Sequence, residues 1–294
     1  MQTIAYYILF GLFKAIGALP LRVLYGLSDL MFLLLFYVVR YRRKVVDQNL
    51  MLVFPDEPPA FRRRVRRRFY RYMCDLVVET VKMASASKAY MHRRISYANT
   101  DLLEKLFSLD KTILVVTSHY GNWEWMASTV YLECFPFFTL YHVLHNPAFE
   151  RLTCHIRTRF GMNIVSMKHF YRQFITCVRS GRTTLFGFNA DQAPKREGDQ
   201  RVIEFMGRET AVYTGVERLA RQYGLPVIYM SIQRPRRGYY RVEARPVTDD
   251  GAATDGGQIT ATIFAELEKD IRRAPEFWLW SHRRWKRRDP VPAQ

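Results

Sequence analysis

His119 and Glu124 form the pair whose residue types and spacing could move a proton in this chain. An imidazole can take a proton from a hydroxyl near neutral pH when a carboxylate fixes its other ring nitrogen and stabilises the imidazolium. On one continuous helix, residues five apart are separated by about 140° of rotation, five steps near 100° each, and would not meet. The Gly121-Asn122 turn between them changes that expectation, because it can fold a first helical turn back and bring the Glu124 carboxylate to the imidazole. Spacing alone is weak support, since most such pairs are surface residues or structural histidines. Position adds to it: the apolar run Thr112-Ile-Leu-Val-Val-Thr-Ser118 reads as a buried strand that ends directly at His119.

A strand that delivers a histidine needs a sheet around it. Beyond Thr100 the pattern predicts strands over 112–118, 137–143, 163–166, 183–189, 226–233 and 239–247, and helices over 123–134, 147–160, 168–180, 212–223 and 259–273. Strands alternating with helices place the chain in the α/β class, with a central, mostly parallel sheet flanked by helices. An antiparallel pair is expected where Arg236-Arg-Gly238 makes a turn. Ligands in such sheets gather at the carboxyl ends of the strands. Upstream, residues 56–88 read as helical after Pro58-Pro59, and their first turns carry six arginines in seven residues, Arg62 to Arg68.

Residues 4–39 are far more apolar than the rest, interrupted by Lys14, Arg22 and Asp29 and followed at once by Arg40-Tyr-Arg-Arg-Lys44. Either 6–25 or 23–39 comes close to the roughly 20 apolar residues of a spanning helix, with a buried helical hairpin as the alternative. The segment is longer than a signal peptide and has no small-residue cleavage site, so it is expected to be retained. The basic cluster after Val39 belongs on the cytoplasmic side of a membrane. The expected division is therefore a membrane-anchoring segment with a basic flank, 1–44, and a cytoplasm-facing domain, 45–294.

The 294 residues carry a net charge of +18, and the 49% hydrophobic content excludes wholesale disorder. Of the basic residues, 35 are arginine and 10 lysine, a bias toward planar anions such as phosphate and carboxylate. Charge alone leaves nucleic acid, an anionic membrane surface and a phosphorylated substrate open as partners. Arginines interleaved with Phe69, Tyr70 and Tyr72 fit a nucleic-acid reading, while the apolar amino terminus and the lack of a binding module speak against it. Cys74, Cys134, Cys154 and Cys177 are widely spaced and read as reduced thiols. With no metal-ligand spacing, glycine-rich phosphate loop or dinucleotide fingerprint, no metal and no cofactor are expected.

At this point the chain resembles the lipid A biosynthesis acyltransferases, the late lauroyl/myristoyl enzymes within the membrane glycerolipid acyltransferase superfamily marked by a His-x4-Asp/Glu motif. The resemblance rests on the apolar amino terminus, Asp47-Gln-Asn-Leu50 with Phe54-Pro55, and the stretch from His119 to Glu124. It continues through Asn146-Pro147 leading to Arg157 and Arg159, Asp191-Gln192, Phe205-Met-Gly207 and Trp278-Leu-Trp-Ser-His-Arg-Arg-Trp285. It implies a glycerolipid acyltransferase-like fold at the cytoplasmic face of an inner membrane. The implied reaction moves a fatty acyl chain from an acyl carrier protein thioester to a hydroxyl of a phosphorylated, already acylated disaccharide. By that resemblance His119 is the general base and Glu124 its partner. Arg157, or Arg159 in its place, and Asp191 line the site, with Asn122 taken as a further substrate contact. An acyltransferase for a glycerophospholipid, an aminolipid or a glycosylated phosphoinositide would keep the fold and change the acceptor; Glu at position 124 and the arginine content favour lipid A. A thioesterase is disfavoured because nothing in the chain activates water. Asp191 could instead be a turn residue closing its strand. The tryptophans around His282 read as an interface belt or as core packing.

Overall fold

In the computed structural model, which describes residues 2–141, 144–194 and 200–285, two apolar helices open the chain. These are α1 (Gln2–Ala18) and α2 (Leu21–Leu33), the second continuing as a π-helical stretch over Leu34–Val39. Helix α3 (Arg43–Val53) leads to the long α4 (Pro59–Met83), which starts at the expected proline pair because proline in a first helical turn forfeits no hydrogen bond. The helical pattern expected through residue 88 ends at Met83 and resumes as α5 (Lys88–His92), where the Ser87 hydroxyl accepts the Tyr90 N–H at 3.1 Å.

A seven-stranded sheet follows, built from β1 (Ile95–Ala98), β2 (Thr112–Thr117), β3 (Phe137–Tyr141), β4 (Asn163–Ser166), β5 (Thr184–Asn189), β8 (Val227–Arg236) and β9 (Tyr239–Thr248). Their order is β1-β9-β8-β2-β5-β3-β4, and every neighbouring pair is parallel except β8 with β9, which turn at Gly238. The expected α/β sheet and its single antiparallel hairpin are therefore present; residues 142–143, the end of one expected strand, lie outside the described residues. Helices α6 (Thr100–Phe107), α7 (Pro147–Thr158), α8 (Met167–Arg179), α9 (Gly215–Tyr223) and α10 (Gln258–Arg273) connect and cover the strands.

Three local readings change. The helix expected over 123–134 is two 3-10 turns, Trp125–Ser128 and Val130–Glu133, broken at Thr129, whose ψ of 144° is extended. The Ser128 hydroxyl turns back onto the Trp125 carbonyl at 2.7 Å. A second sheet, β6 (Gln200–Phe205) with β7 (Arg208–Tyr213), takes residues 212 and 213 out of the expected helix. Its connection places both Met206 and Gly207 at positive φ, the backbone of a two-residue hairpin turn. The short strand β1 was not anticipated because four residues carry too little alternation to register.

Strand β2 explains why its sequence is a continuous apolar run: both of its faces are covered. Leu114 and Val116 join Phe186, Tyr229, Phe264 and Trp280 in one core, while Ile113 and Val115 join Leu185, Ile228, Tyr240 and Trp125 in another on the opposite face. The amino-terminal helices are seated on this body. Helix α1 packs on α4 and α7, α2 packs on α4, and Leu24 and Phe32 are buried beneath α2. The outward residues Ile4, Ile8 and Leu12 of α1 and Leu27, Leu30, Leu33 and Val38 of the second helix are exposed. The stretch Leu21–Val39 is long and apolar enough to cross a membrane by length and composition.

Phe186 is fully buried, with the rings of Phe138 and Phe174 each centred 5.1 Å away. Replacing it with alanine leaves a cavity and is expected to cost about 3–5 kcal/mol, read from urea unfolding in mild detergent. An unchanged midpoint would mean that this aromatic stack does not bear on stability.

Candidate active site

The centre of the site follows from strand register. Strands β2 and β5 lie side by side and parallel, with Thr117 opposite Asn189. Two residues beyond each, the chain reaches His119 and Asp191, so groups 72 positions apart in sequence meet at the carboxyl end of the sheet. The Asp191 carboxylate is 3% exposed, and both of its oxygens accept hydrogen bonds. Its Oδ1 accepts from His119 Nδ1 at 2.7 Å and from the His119 main-chain N–H at 3.0 Å, and its Oδ2 accepts from Trp278 Nε1 at 2.9 Å. An ionised carboxylate has only acceptors to offer, so Nδ1 carries the proton and the neutral imidazole presents an Nε2 lone pair. The Gln192 amide nitrogen lies 3.2 Å from that Nε2, and the Trp123 ring meets the imidazole edge-on with centroids 5.0 Å apart.

Charge reinforces the arrangement. Burial opposes a proton on His119, but the Asp191 charge and hydrogen bond outweigh it and raise the imidazole above its ordinary pKa. Burial likewise works against charge on Asp191, yet the His119 and Trp278 donors push its carboxyl down to about 2. The pair is built to hold a negative carboxylate against an imidazole that readily gains a positive charge.

The turn after His119 is fixed by its backbone. Gly121 has φ +61°, and a Cβ there would stand 2.2 Å from the Ile232 carbonyl oxygen, so only glycine fits. The Gly121 N–H donates to Phe277 O at 3.0 Å, Leu279 N–H donates to His119 O at 3.1 Å, and the Tyr72 hydroxyl donates to Gly121 O. The carboxy-terminal segment is thus laid along the motif as a one-bridge extension, Tyr120 opposite Trp278.

Several expected roles are corrected by this geometry. Glu124 makes no hydrogen bond to His119: its two oxygens take Arg157 Nε at 2.9 Å and Nη2 at 2.6 Å as a bidentate pair. The turn does bring Glu124 close enough for its charge to raise His119, with Arg157 opposing, but the imidazole nitrogen is already occupied from the neighbouring strand. Asp191, expected as a substrate contact, is instead the hydrogen-bond partner of the His119 imidazole. Asn122 is 1% exposed and faces inward, donating to Glu79 at 2.6 Å and accepting the Trp125 N–H at 3.0 Å, so it shapes the turn rather than touching substrate. Arg157 and Arg159 point different ways because two helical steps rotate a side chain by about 200°. Arg157 faces Glu124, whereas Arg159 donates to the main-chain oxygens of Met83 and Ala86. Burial disfavours the Arg157 charge and Glu124 more than restores it.

Other motif residues prove architectural. Asn146 caps α7 by accepting the Ala148 and Phe149 N–H groups at 3.0 and 3.1 Å, with Pro147 in the first turn, and this sets the helix that carries Arg157. Asn49 donates to the Trp280 and His282 main-chain oxygens, both at 2.8 Å, clamping the carboxy-terminal segment. Trp278 and Trp280 are buried, so of the two readings offered for the tryptophans core packing holds and an interface belt does not. Trp278 and Gln192 are site residues that spacing does not reveal; their signal was only that both lie in motifs of the resemblance. Among the described residues no group of histidine, cysteine and carboxylate side chains is arranged to hold a metal ion.

A histidine–carboxylate pair thus lies beside a carboxylate-held arginine at the carboxyl end of the sheet, where α/β proteins gather their ligands. The family model for bacterial lipid A biosynthesis acyltransferases matches residues 1–287, and the chain belongs to that family; it is an acyltransferase. It is 25% identical over 252 residues to the lipid A biosynthesis palmitoleoyltransferase of Escherichia coli (strain K12), covering 85% of this chain and 80% of that protein. It is 24% identical over 291 residues to the lauroyltransferase of the same organism, covering 97% and 92%, and 19% identical over 247 residues to the myristoyltransferase, covering 84% and 76%. A solved 1-acyl-sn-glycerophosphate acyltransferase from Thermotoga maritima aligns over 87% of this chain and 97% of its own, at 14% identity and a TM-score of 0.38.

Gly121→Ala tests the turn. Left-handed backbone strain alone is expected to cost about 1–3 kcal/mol. Because the added methyl meets rigid main chain, turnover per folded molecule should fall as well. Urea unfolding and turnover measured together check this, and a variant matching the parent in both would show that the turn is not confined.

Proposed function

We propose that the chain transfers a fatty acyl group from an acyl carrier protein thioester to a hydroxyl of a lipid A precursor, a late acylation in lipopolysaccharide biosynthesis. The observation that carries this reading is the His119 imidazole, held by Asp191 on Nδ1, with Nε2 as the accepting nitrogen that the Gln192 amide now meets at 3.2 Å and that an acceptor hydroxyl would take over. In the first step Nε2 takes the proton of the acceptor hydroxyl as its oxygen attacks the thioester carbonyl. The resulting oxyanion needs positive charge, and Arg157, fixed by Glu124, is the group proposed to supply it. When the tetrahedral intermediate collapses, the C–S bond breaks, the ester forms, and the imidazolium returns its proton to the leaving thiolate. The ledger closes with an ester, a free thiol and the base restored.

Membrane association follows from the same reading. Residues 1–44 seat the molecule on the inner membrane through the outward apolar faces of α1 and α2, and 45–294 carry the chemistry on the cytoplasmic face. Beside them, Arg63, Arg64, Arg67, Arg68 and Arg71 of α4 line a cavity of about 410 Å³. Like charges one helical turn apart are individually unfavourable, and anionic lipid phosphates or an acidic carrier would relieve the repulsion. No cofactor enters the scheme.

His119→Ala is expected to lose on the order of 10² to 10⁴ in turnover, the contribution of a general base. Retention of more than about a tenth of the parent rate would overturn the mechanism. Asp191→Asn should be comparably severe because it disturbs the tautomer. It also has a signed pH signature. The parent kcat/KM falls as pH drops through the raised His119 pKa, and removing the carboxylate that raises it should move that acid limb to lower pH. Glu124→Ala and Arg157→Ala should match one another, and the double variant should be little worse than either.

The assignment of acceptor and donor is tested by mass spectrometry of lipid A from cells with and without the protein, and by turnover with matched acyl donors. An added acyl chain on lipid A and a preference for the carrier-protein thioester are expected. An unchanged lipid A profile rules out the acceptor, and equal or better turnover with acyl-coenzyme A rules out the donor.

A further inference from the structure

Glu79, on α4, is fully buried and takes no part in the chemistry above. Its Oε1 accepts from the Tyr25 hydroxyl at 2.7 Å, and its Oε2 accepts from Asn122 Nδ2 and the Tyr240 hydroxyl, both at 2.6 Å. Arg234 Nη2 lies 3.6 Å from Oε1. Burial raises the Glu79 carboxyl above its ordinary value, and Arg234 with the tyrosine donors works against that. The three hydrogen-bond donors come from three places: the apolar helix α2, the turn between His119 and Glu124, and strand β9. One turn earlier on α4, Asp75 repeats the pattern, accepting from Ser28 of α2 at 2.7 Å, from Arg234 at 2.7 Å and from Arg237.

The two ends of this network matter for different reasons. Asn122, held by Glu79, caps the Trp125 N–H and so shapes the turn that carries Glu124. Tyr25 and Ser28 lie on the side of α2 that meets α4, while Leu27, Leu30 and Leu33 of the same helix are exposed. A buried carboxylate that loses one donor is left with uncompensated charge, so displacing α2 disturbs the bond to Asn122 as well.

We propose that Glu79 is a positioning residue that couples the seating of α2 on a bilayer to the geometry of the His119–Glu124 turn, so that membrane contact sets the rate of the chemical step. This rests on the reading of that turn as the acyl-transfer site and of α2 as membrane-facing.

The test uses the full chain, in detergent and bound to phosphatidylglycerol–phosphatidylcholine vesicles. Tyr25→Phe removes one hydroxyl at the membrane end and should lower kcat on vesicles about tenfold, consistent with a hydrogen bond to a charged group. KM and recovery with vesicles should stay within about twofold, less than the 1.4 kcal/mol that separates tenfold steps. Glu79→Gln, which keeps the shape, should lose less than Glu79→Ala. Amide exchange over residues 119–128 should slow when the parent binds vesicles and should not slow in Tyr25→Phe. Parent-like kcat in Tyr25→Phe overturns the coupling, as does exchange that is identical in parent and variant. A Tyr25→Phe loss confined to vesicle recovery does the same, since Tyr25 would then only hold α2 down. If Glu79→Ala does not fold, the two conservative variants still decide. His119→Ala inactive beside a fully active Tyr25→Phe removes this inference alone, whereas an active His119→Ala removes the assignment of the site itself.

Discussion

The Asp191 carboxylate is the constraint around which the site is assembled. A buried charge is tolerable only when it is paired and hydrogen-bonded, and three donors serve this one: the His119 ring, the His119 main chain and the Trp278 indole. The donors arrive on two structural premises. The first two require β2 and β5 to be adjacent, parallel and in register, and the third requires the carboxy-terminal segment to lie along the motif. The tautomer of His119, the direction of its free nitrogen and the path of residues 277–279 are consequences of satisfying one carboxylate.

Helix α4 gives that centre its frame. Tyr72, Asp75 and Glu79 occupy successive steps along it and reach, respectively, the Gly121 carbonyl, the arginines of the β8–β9 hairpin and Asn122. The same helix supports α1 and α2 on another side, with Lys82 donating to the Gly17 and Leu19 carbonyls at the end of α1. Buried polar contacts of this kind contribute little net stability compared with apolar packing, but they are directional and penalise misplacement. They fix how α1 and α2 sit relative to the His119–Glu124 turn, which apolar contacts alone would leave loosely specified.

The basic excess separates into two populations. Arg157, Arg234, Arg237 and Arg245 are bound to carboxylates and serve the fold or the site. Arg63, Arg64 and Arg67 on the amino-terminal half of α4 line an open cavity instead, whose further member Arg71 stacks over the ring of Phe32 from α2. A run of like charges with this placement makes physical sense at an anionic surface, where apolar insertion and phosphate contacts reinforce one another.

How much of this was legible in the sequence varies with the range of the interaction. The α/β class, most strands of the main sheet, the hairpin at Gly238 and the delivery of His119 to a strand end were all readable, because periodicity, proline and glycine act within a few residues. The resemblance implied site roles for Glu124, Arg157 and Asp191, and proximity in sequence set Glu124 beside His119. Glu124 lies five residues from His119 and pairs with Arg157; Asp191 lies 72 away and takes the imidazole. Asn122 and Arg159 belong to the right motifs and turn inward or away, since a side chain's direction depends on the packing around it. By itself the sequence determined the local elements and the family; strand order and register, which set neighbours at 5 Å without regard to chain separation, decided which charges meet.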